Sequence, residues 1–303
     1  MIESIPIGRI LYRPPVEAYS LLIAVTGGCS WNRCKFCGMY KTRDYQTIQK
    51  YGILPLEYVL KQIDEAAQHN YHNFPVFLAG GNPTSAPTDY LVKIIKYVRE
   101  KLNNVQRLSC YAKALDILRK TDEELKELSE AGLDIVYMGL ESGSSTILRM
   151  MHKGTNAESM IKAGKKVLEA GIKLSLYVLI GLGGKKYSDE HVAETAKVLT
   201  EINPTIFRFR TLHVPETTPL YDDIENGEFE LLSPVECLKE EREIIARLGE
   251  NVSSEVYNDH MNNYCYLETK NIKVDRQRFI KALDTYINDP EIQKMPRKNL
   301  TVM

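Results

Sequence analysis

Cys29, Cys34 and Cys37 lie directly after the apolar run Ser20-Leu-Leu-Ile-Ala-Val-Thr26, spaced C-x4-C-x2-C, and the next cysteine is Cys110. Three clustered thiolates suit a cuboidal iron–sulfur centre, which takes one protein ligand per iron. A triad leaves one iron without a protein ligand and therefore able to bind a reactant. Two other centres use similar residues. Structural zinc takes four ligands, commonly as two close pairs, and here one pair and one single are offered, with His69 and His72 the nearest histidines. A plant-type two-iron cluster shares this spacing but needs a fourth cysteine. Cys110 would have to supply it from a predicted strand two βα units away.

Other polar side chains sit where predicted strands end. Tyr111 and Lys113 follow the third, Arg208 and Arg210 belong to the sixth, and His213 follows it, while Asp259, His260 and Asn263 fall in a mixed segment further on. A carboxylate such as Asp259 can accept from paired donors, and His213 or His260 can move protons near neutrality. Each has a structural alternative: a lone histidine satisfied in the core, or Arg208 and Arg210, on one face by strand alternation, simply bridging a carboxylate.

These residues require a frame. β-branched or aromatic runs at 20–26, 75–79, 106–111, 134–140, 173–180 and 205–211 alternate with helical patterns near 55–70, 88–102, 121–131, 155–170 and 188–202. Thr121-Asp-Glu-Glu124, Thr155-Asn-Ala-Glu158 and Ser233-Pro-Val-Glu236 fit the capping box, and Gly132 and Gly171 fit helix ends. Strand–helix alternation predicts parallel strands with crossover helices. Site residues spread over five strand ends favour an α/β fold of the partial (βα)6 TIM-like barrel type, where such ends converge, over an open sheet with one switch point. The expected organisation is an extension at 1–19, the barrel at 20–215, and an α-rich segment at 216–303. That last segment would form a helical lid, with helices at 233–249 and 275–288 and a loose tail from Pro290.

The bulk properties narrow the partners. With 39 basic and 40 acidic residues the formal net charge is −1, so no broad electrostatic case exists for nucleic acid or an anionic membrane. The N-terminus shows no secretory pattern and no apolar stretch is long enough to span a bilayer, so a reducing cytoplasmic setting is expected. Such a setting favours metal ligation by the triad over disulfides. Cys110, Cys237 and Cys265 read as small buried hydrophobes.

Cys34-Lys-Phe36-Cys37, with an aromatic before the last cysteine, resembles the radical S-adenosylmethionine (SAM) superfamily, whose usual pattern is C-x3-C-x-aromatic-C; this chain carries one extra residue between the first two cysteines. Gly80-Gly81-Asn82-Pro83 looks like the family's Gly-Gly-Glu-Pro segment, which meets the cofactor's amino group, with Asn in place of Glu. Glu141 resembles the ribose-binding residue, the Val178–Gly181 stretch with Gly183 and Gly184 the adenine-lining segment, and Thr211 the position whose backbone meets the adenine edge. The resemblance spans residues 20–211. It implies a four-iron four-sulfur cluster on Cys29, Cys34 and Cys37, S-adenosylmethionine at the open iron, Phe36 beside it, and a 5′-deoxyadenosyl radical that abstracts hydrogen from a substrate. It also implies an external one-electron reductant such as flavodoxin or ferredoxin.

Relatives that modify peptides or tRNA usually carry more clusters or appended domains, so the resemblance points to a small-molecule substrate. The sequence Val25–Tyr40, with Gly-Gly-Asn-Pro and Asn258–Tyr264, is similar to a subgroup that includes queuine lyases. It is more distantly similar to oxygen-independent coproporphyrinogen oxidase and the Elongator-type catalytic subunit. The first similarity implies a lyase that cleaves the C–N bond of queuine, releasing 7-aminomethyl-7-deazaguanine. An RNA- or protein-modifying enzyme is the alternative. On the lyase reading Asp259 would accept from a 7-deazaguanine base, and Lys113, Arg210, His213 and His260 would complete the substrate site.

Overall fold

Every predicted βα unit forms. The computed structural model describes residues 10–42, 46–47, 49–69 and 73–297; His72, residues 1–9 of the extension and the end of the tail lie outside them. Strands β1 (Leu21–Ala24), β2 (Val76–Ala79), β3 (Leu108–Ala112), β4 (Ile135–Glu141), β5 (Lys173–Ile180) and β6 (Ile206–Thr211) pair in that order, all parallel. Helices α1 (Leu56–Gln68), α2 (Thr88–Lys101), α3 (Ala114–Arg119), α4 (Asp122–Ala131), α5 (Ser145–Met150), α6 (Ala157–Glu169) and α7 (Ser188–Ile202) make the crossovers. Strands buried on both faces read as continuous apolar runs; Val76-Phe-Leu-Ala79 is buried at all four positions.

The sheet continues beyond the six expected strands. After α8 (Pro219–Glu225) and α9 (Pro234–Ala246), β7 (Glu255–Asn258) adds in parallel to β6, with Arg208 opposite Tyr257. β8 (Leu267–Thr269) then closes the edge antiparallel to β7, and α10 (Ile272–Ile287) and α11 (Pro290–Lys294) follow. β1 and β8 are the two edges, so the barrel is open. The C-terminal helices are present as expected, but the mixed segment near 255 belongs to the sheet. Four residues ending in a buried Asn are too short and too polar to announce a strand. A short helix replaces the loose tail at Pro290, capped by the Asp289 side chain and with Ile292 buried.

Local chemistry explains the boundaries. The capping boxes at Thr121/Glu124 and Ser233/Glu236 both form. The third expected box does not: Asn156 caps α6, its Oδ1 accepting from Ser159 N at 2.8 Å, and Thr155 Oγ1 is buried without a partner. Asn followed by a helix-forming Ala offers the shorter reach to the N3 amide. Gly132 ends α4 in the left-handed region at φ +110°.

The extension is anchored by Glu17. Its carboxylate is fully buried and accepts from Tyr137 Oη, Ser109 Oγ at 2.9 Å and Arg107 Nε at 3.1 Å, with Ser20 Oγ a further donor. Burial works against this charge, but the Arg107, Ser20 and Tyr137 bonds hold the carboxyl below its ordinary range. Leu11 packs inside the sheet against the cluster of Phe77, Ala79, Ile135 and Tyr137.

Candidate functional site

The cysteine loop is held by glycine-only contacts with the β2 turn. Gly81 N donates to Gly28 O at 2.9 Å. A Cβ at Gly81 would lie 2.2 Å from Gly28 O and 2.6 Å from the Cys29 Cα, and one at Gly80 2.1 Å from Thr26 Oγ1. No side chain fits there, so Gly-Gly is fixed by backbone approach. Asn82 completes the clamp. It is fully buried, its Oδ1 accepting from Ser30 N at 3.0 Å and its amide donating to Ser30 Oγ at 2.8 Å and Asp116 Oδ2 at 2.6 Å. In this structure the Asn82 side chain braces the cluster loop against Asp116, on α3. Pro83 opens the short 3-10 turn that follows.

The three thiols are reduced and near one another. Burial pushes Cys34 up to about 12, Lys153 pulls the other way, and Cys37, Glu141 and Cys29 add to the rise. Cys37 is raised as well, by burial first and then by Cys29, against the pull of a backbone donor at Met39 and of Lys153 and Lys41. Mutual repulsion of this kind places the sulfurs in one site. Yet among the described residues no three His, Cys, Asp or Glu side chains stand close enough for a single metal ion. Three mutually coupled thiols on one loop offer the protein ligands of a cuboidal cluster with one corner left open.

A charged pair lies beside them. Glu141, at the end of β4 with φ +63°, accepts from Lys153 Nζ at 2.6 Å, and Lys153 stands 5.8 Å from the Phe36 ring centroid. Burial opposes the Lys153 charge, but Glu141 and Cys34 together raise it, keeping the ammonium protonated. A left-handed Glu is a strained conformer of the sort that persists at functional sites. The sequence reading missed Lys153, because the turn after α5 carries no motif.

Further round the sheet, two expected cofactor contacts are committed within the protein. Gly181 N donates to Glu240 Oε1 at 2.6 Å, and Thr211 N donates to Asn263 Oδ1 at 2.8 Å. In this ligand-free arrangement both amides are engaged within the protein, so an adenine lying here would meet other atoms of these residues or displace those bonds. Glu240, on α9, also faces the buried His191; burial raises its carboxyl to about 7 and lowers His191 to about 3. Neither residue was flagged by sequence, since a helical Glu reads as surface.

Asp259 is gripped from both sides: Arg208 Nη1 donates at 2.6 Å and Arg210 Nη1 at 3.0 Å. Arg208 lies 4.1 Å from the Tyr257 ring centroid and Arg210 5.1 Å from that of Tyr177. Two guanidinium groups against one carboxylate leave an excess positive charge, and Arg208 Nε and Tyr177 Oη are buried without partners. Phe77, Tyr111, Tyr137 and Tyr177 form a continuous ring wall from β2 to β5. Tyr40, on the cluster loop, and Arg210 both act on the Tyr111 phenol, so the wall links the thiols to the arginines.

The remaining expected site residues separate. His213 lies just past β6 with its buried Nε2 partnerless, and burial, aided by Arg297, lowers its pKa and keeps it neutral. His260 Nδ1 accepts from Asn262 N at 3.2 Å. Lys113 turns away from Asp259: its Nζ donates to Ser30 Oγ at 3.1 Å and sits 5.7 Å from the Trp31 ring centroid, outside the cluster loop.

Comparison with known proteins agrees with this geometry. A biotin synthase from Streptococcus agalactiae is 26% identical over 221 residues, covering 72% of this chain and 61% of the relative. The uncharacterized protein MJ0486 of Methanocaldococcus jannaschii is 26% identical over 181 residues, 59% of this chain and 55% of its own. A tRNA-2-methylthio-N(6)-dimethylallyladenosine synthase from Campylobacter hominis is 25% identical over 233 residues, 71% and 51%. The chain thus spans between about half and three fifths of these relatives' lengths. Among solved structures, coproporphyrinogen III oxidase from Escherichia coli shares the fold at TM-score 0.55 and 19% identity, covering 75% of this chain and 51% of that one. Methylornithine synthase shares it at TM-score 0.51 and 17% identity, 76% and 64%. Residues 23–199 match the family described as the Radical SAM superfamily, a span holding all three cysteines, the Gly-Gly turn, Glu141 and Lys153, and on that match the chain belongs to the radical SAM superfamily, enzymes that use a four-iron four-sulfur cluster and S-adenosylmethionine.

Proposed function

We propose that the chain acts on a small molecule held at the ends of β5, β6 and β7, and that its reaction is the C–N cleavage of queuine to 7-aminomethyl-7-deazaguanine. The observation that carries the reading is the Arg208–Asp259–Arg210 group. A guanine-like edge presents two donors, N1–H and the exocyclic amine, beside one acceptor, O6. A carboxylate with a guanidinium next to it offers the matching acceptor and donor side by side. Tyr177 and Tyr257 supply flat apolar faces for such a base.

Cys29, Cys34 and Cys37 would hold the cluster, which with bound S-adenosylmethionine supplies one-electron reduction and a hydrogen-abstracting carbon centre. The chain's own residues set the conditions. Lys153 offsets negative charge beside Cys34 and Cys37, Glu141 orients Lys153, and the Phe77–Tyr177 ring wall keeps water from the reacting atoms. His213 Nε2, held neutral, takes or returns the proton that accompanies loss of the amine.

Anaerobic incubation of the reconstituted enzyme with queuine, S-adenosylmethionine and flavodoxin or ferredoxin tests the reading by mass spectrometry. The expected products are 7-aminomethyl-7-deazaguanine and 5′-deoxyadenosine, each dependent on the other. Cleavage of S-adenosylmethionine that leaves queuine intact removes the substrate assignment. Cleavage only on addition of tRNA or a protein moves the enzyme to the macromolecule-modifying class.

A further inference from the structure

On the outer side of the cluster loop lies a groove of about 660 Å³ whose walls include Trp31, Arg33, Arg149, His152 and Asn156. Among the described residues no acidic side chain lines it. Arg33, Arg149 and His152 are exposed, and neither arginine meets a carboxylate among the described residues. The whole chain carries a net charge of −1, so this patch is a local excess and not a reflection of bulk composition.

The groove is built, not incidental. Trp31 Nε1 donates to His152 O at 2.6 Å, locking the cluster loop to the turn after α5. Gly154, at φ +74°, lies so close under the indole that a Cβ would sit 2.5 Å from Trp31 Cε2. Arg33 stands 5.3 Å and Lys113 5.7 Å from the Trp31 ring centroid, so the indole is flanked by two cations. Asn32 and His152 both adopt left-handed backbone, at φ +45° and +51°, which turns this rim outward.

Position gives the surface its meaning. Trp31 and Arg33 lie in the four-residue stretch of loop that joins Cys29 to Cys34. Beyond the last of the three cysteines, Tyr40 packs on Tyr12 of the extension with ring centroids 5.2 Å apart, whereas Arg33 and Arg149 are exposed. A protein that must pass an electron to the cluster while a substrate fills the interior has to approach from outside. We propose that this groove is the docking surface for an acidic one-electron donor protein, one whose negative rim surrounds its redox group. Arg and Trp are the side chains best able to anchor such contacts, and charge complementarity sets the encounter rate. One electron leaves the donor's reduced group and enters the oxidised cluster; no bond forms or breaks and no proton is required. The proposal needs membership in the superfamily but no particular substrate.

The test follows cluster bleaching by stopped flow in the reconstituted full chain, without substrate, using reduced flavodoxin and, separately, dithionite. For Arg149→Glu and Arg33→Glu the flavodoxin rate constant should fall about tenfold or more at low salt and lose its salt dependence. The dithionite rate should stay at the wild-type value, which also reports an intact fold and cluster. Arg149→Lys should retain most of the flavodoxin rate. Unchanged flavodoxin rates in both Glu variants, or equal losses with both reductants, overturn the proposal. So does a weakened tRNA affinity, read by fluorescence polarisation, with flavodoxin reduction intact, because the cations would then serve RNA.

Discussion

Two rims of one open barrel carry the chemistry, and they are built from opposite materials. The rim at β1 and β2 is made of thiols, glycines and backbone: Gly81 N on Gly28 O, Gly80 against Thr26, Asn82 pinning Ser30. The rim at β6 and β7 is made of charged and aromatic side chains: Arg208, Arg210 and Asp259 beside Tyr177 and Tyr257. The first rim tolerates no added atom, because its contacts are between backbones. The second holds partnerless buried donors, Arg208 Nε and Tyr177 Oη, that a ligand can satisfy. On the proposed reading, the rim that would hold the cluster is closed by sterics, and the rim that would hold substrate is polar and incomplete.

The largest expected effect breaks the first rim alone. Cys34→Ala should reduce iron after anaerobic reconstitution from about four per chain to background, read by metal analysis, while far-ultraviolet dichroism stays native. Iron retained at the wild-type level would place the metal elsewhere.

Asp259→Asn should break the second rim and spare the first. Leaving two guanidinium groups opposite a neutral amide should cost about 2 kcal/mol or more in the stability or substrate affinity that the pair supports. Iron content and uncoupled cleavage of S-adenosylmethionine should remain, and a loss of iron in this variant would show that the rims are not separable.

Gly81→Ala sharpens the steric half of the contrast. The new Cβ would meet Gly28 O at 2.2 Å, so the loop must shift. An overpacking cost of about 1–3 kcal/mol in urea unfolding, with faster iron loss to a chelator, is expected. Wild-type values for both would mean that the turn is not tight.

Glu241→Gln gives the smallest effect and tests how Asp259 is delivered. Glu241 accepts from Asn258, the residue before Asp259, at 2.6 Å. Burial raises its carboxyl to about 8, the Asn258 bond opposing the rise. The folded protein therefore holds a proton up to about pH 8 that the unfolded chain releases near its ordinary value of 4.5, so stability falls as pH rises across that window. The variant, which has no proton to lose, should therefore lose less stability than the wild-type chain as pH rises from 5 to 9. Parallel pH profiles for the two proteins in urea would contradict the assignment.

The first rim was legible in sequence because it is built from two short motifs of restricted residue type, even though its contacts, such as Asn82 with Ser30, span 52 residues. C-x4-C-x2-C and Gly-Gly after strands report sterics and ligation directly, and the βα order followed from periodicity. The second rim was legible only as ingredients. Arg208 and Asp259 were named, but their pairing spans 51 residues and depends on β7, a strand too short to see. The protein partners of Asn82, Gly181 and Thr211 were not legible, because they come from Asp116, Glu240 and Asn263, distant residues whose pairing carries no local signal. Lys153 was missed for the same reason: its pairing with Glu141 exists only after the β4 turn and the α5 turn converge.

The claim beneath both rims is that the three thiols hold a four-iron cluster with an open corner. Electron paramagnetic resonance of the anaerobically reconstituted, reduced protein, recorded with and without S-adenosylmethionine, tests it most directly. The account predicts a reduced four-iron signal whose g-values shift when S-adenosylmethionine binds. A two-iron signal, a signal indifferent to S-adenosylmethionine, or a silent sample containing stoichiometric zinc would contradict it.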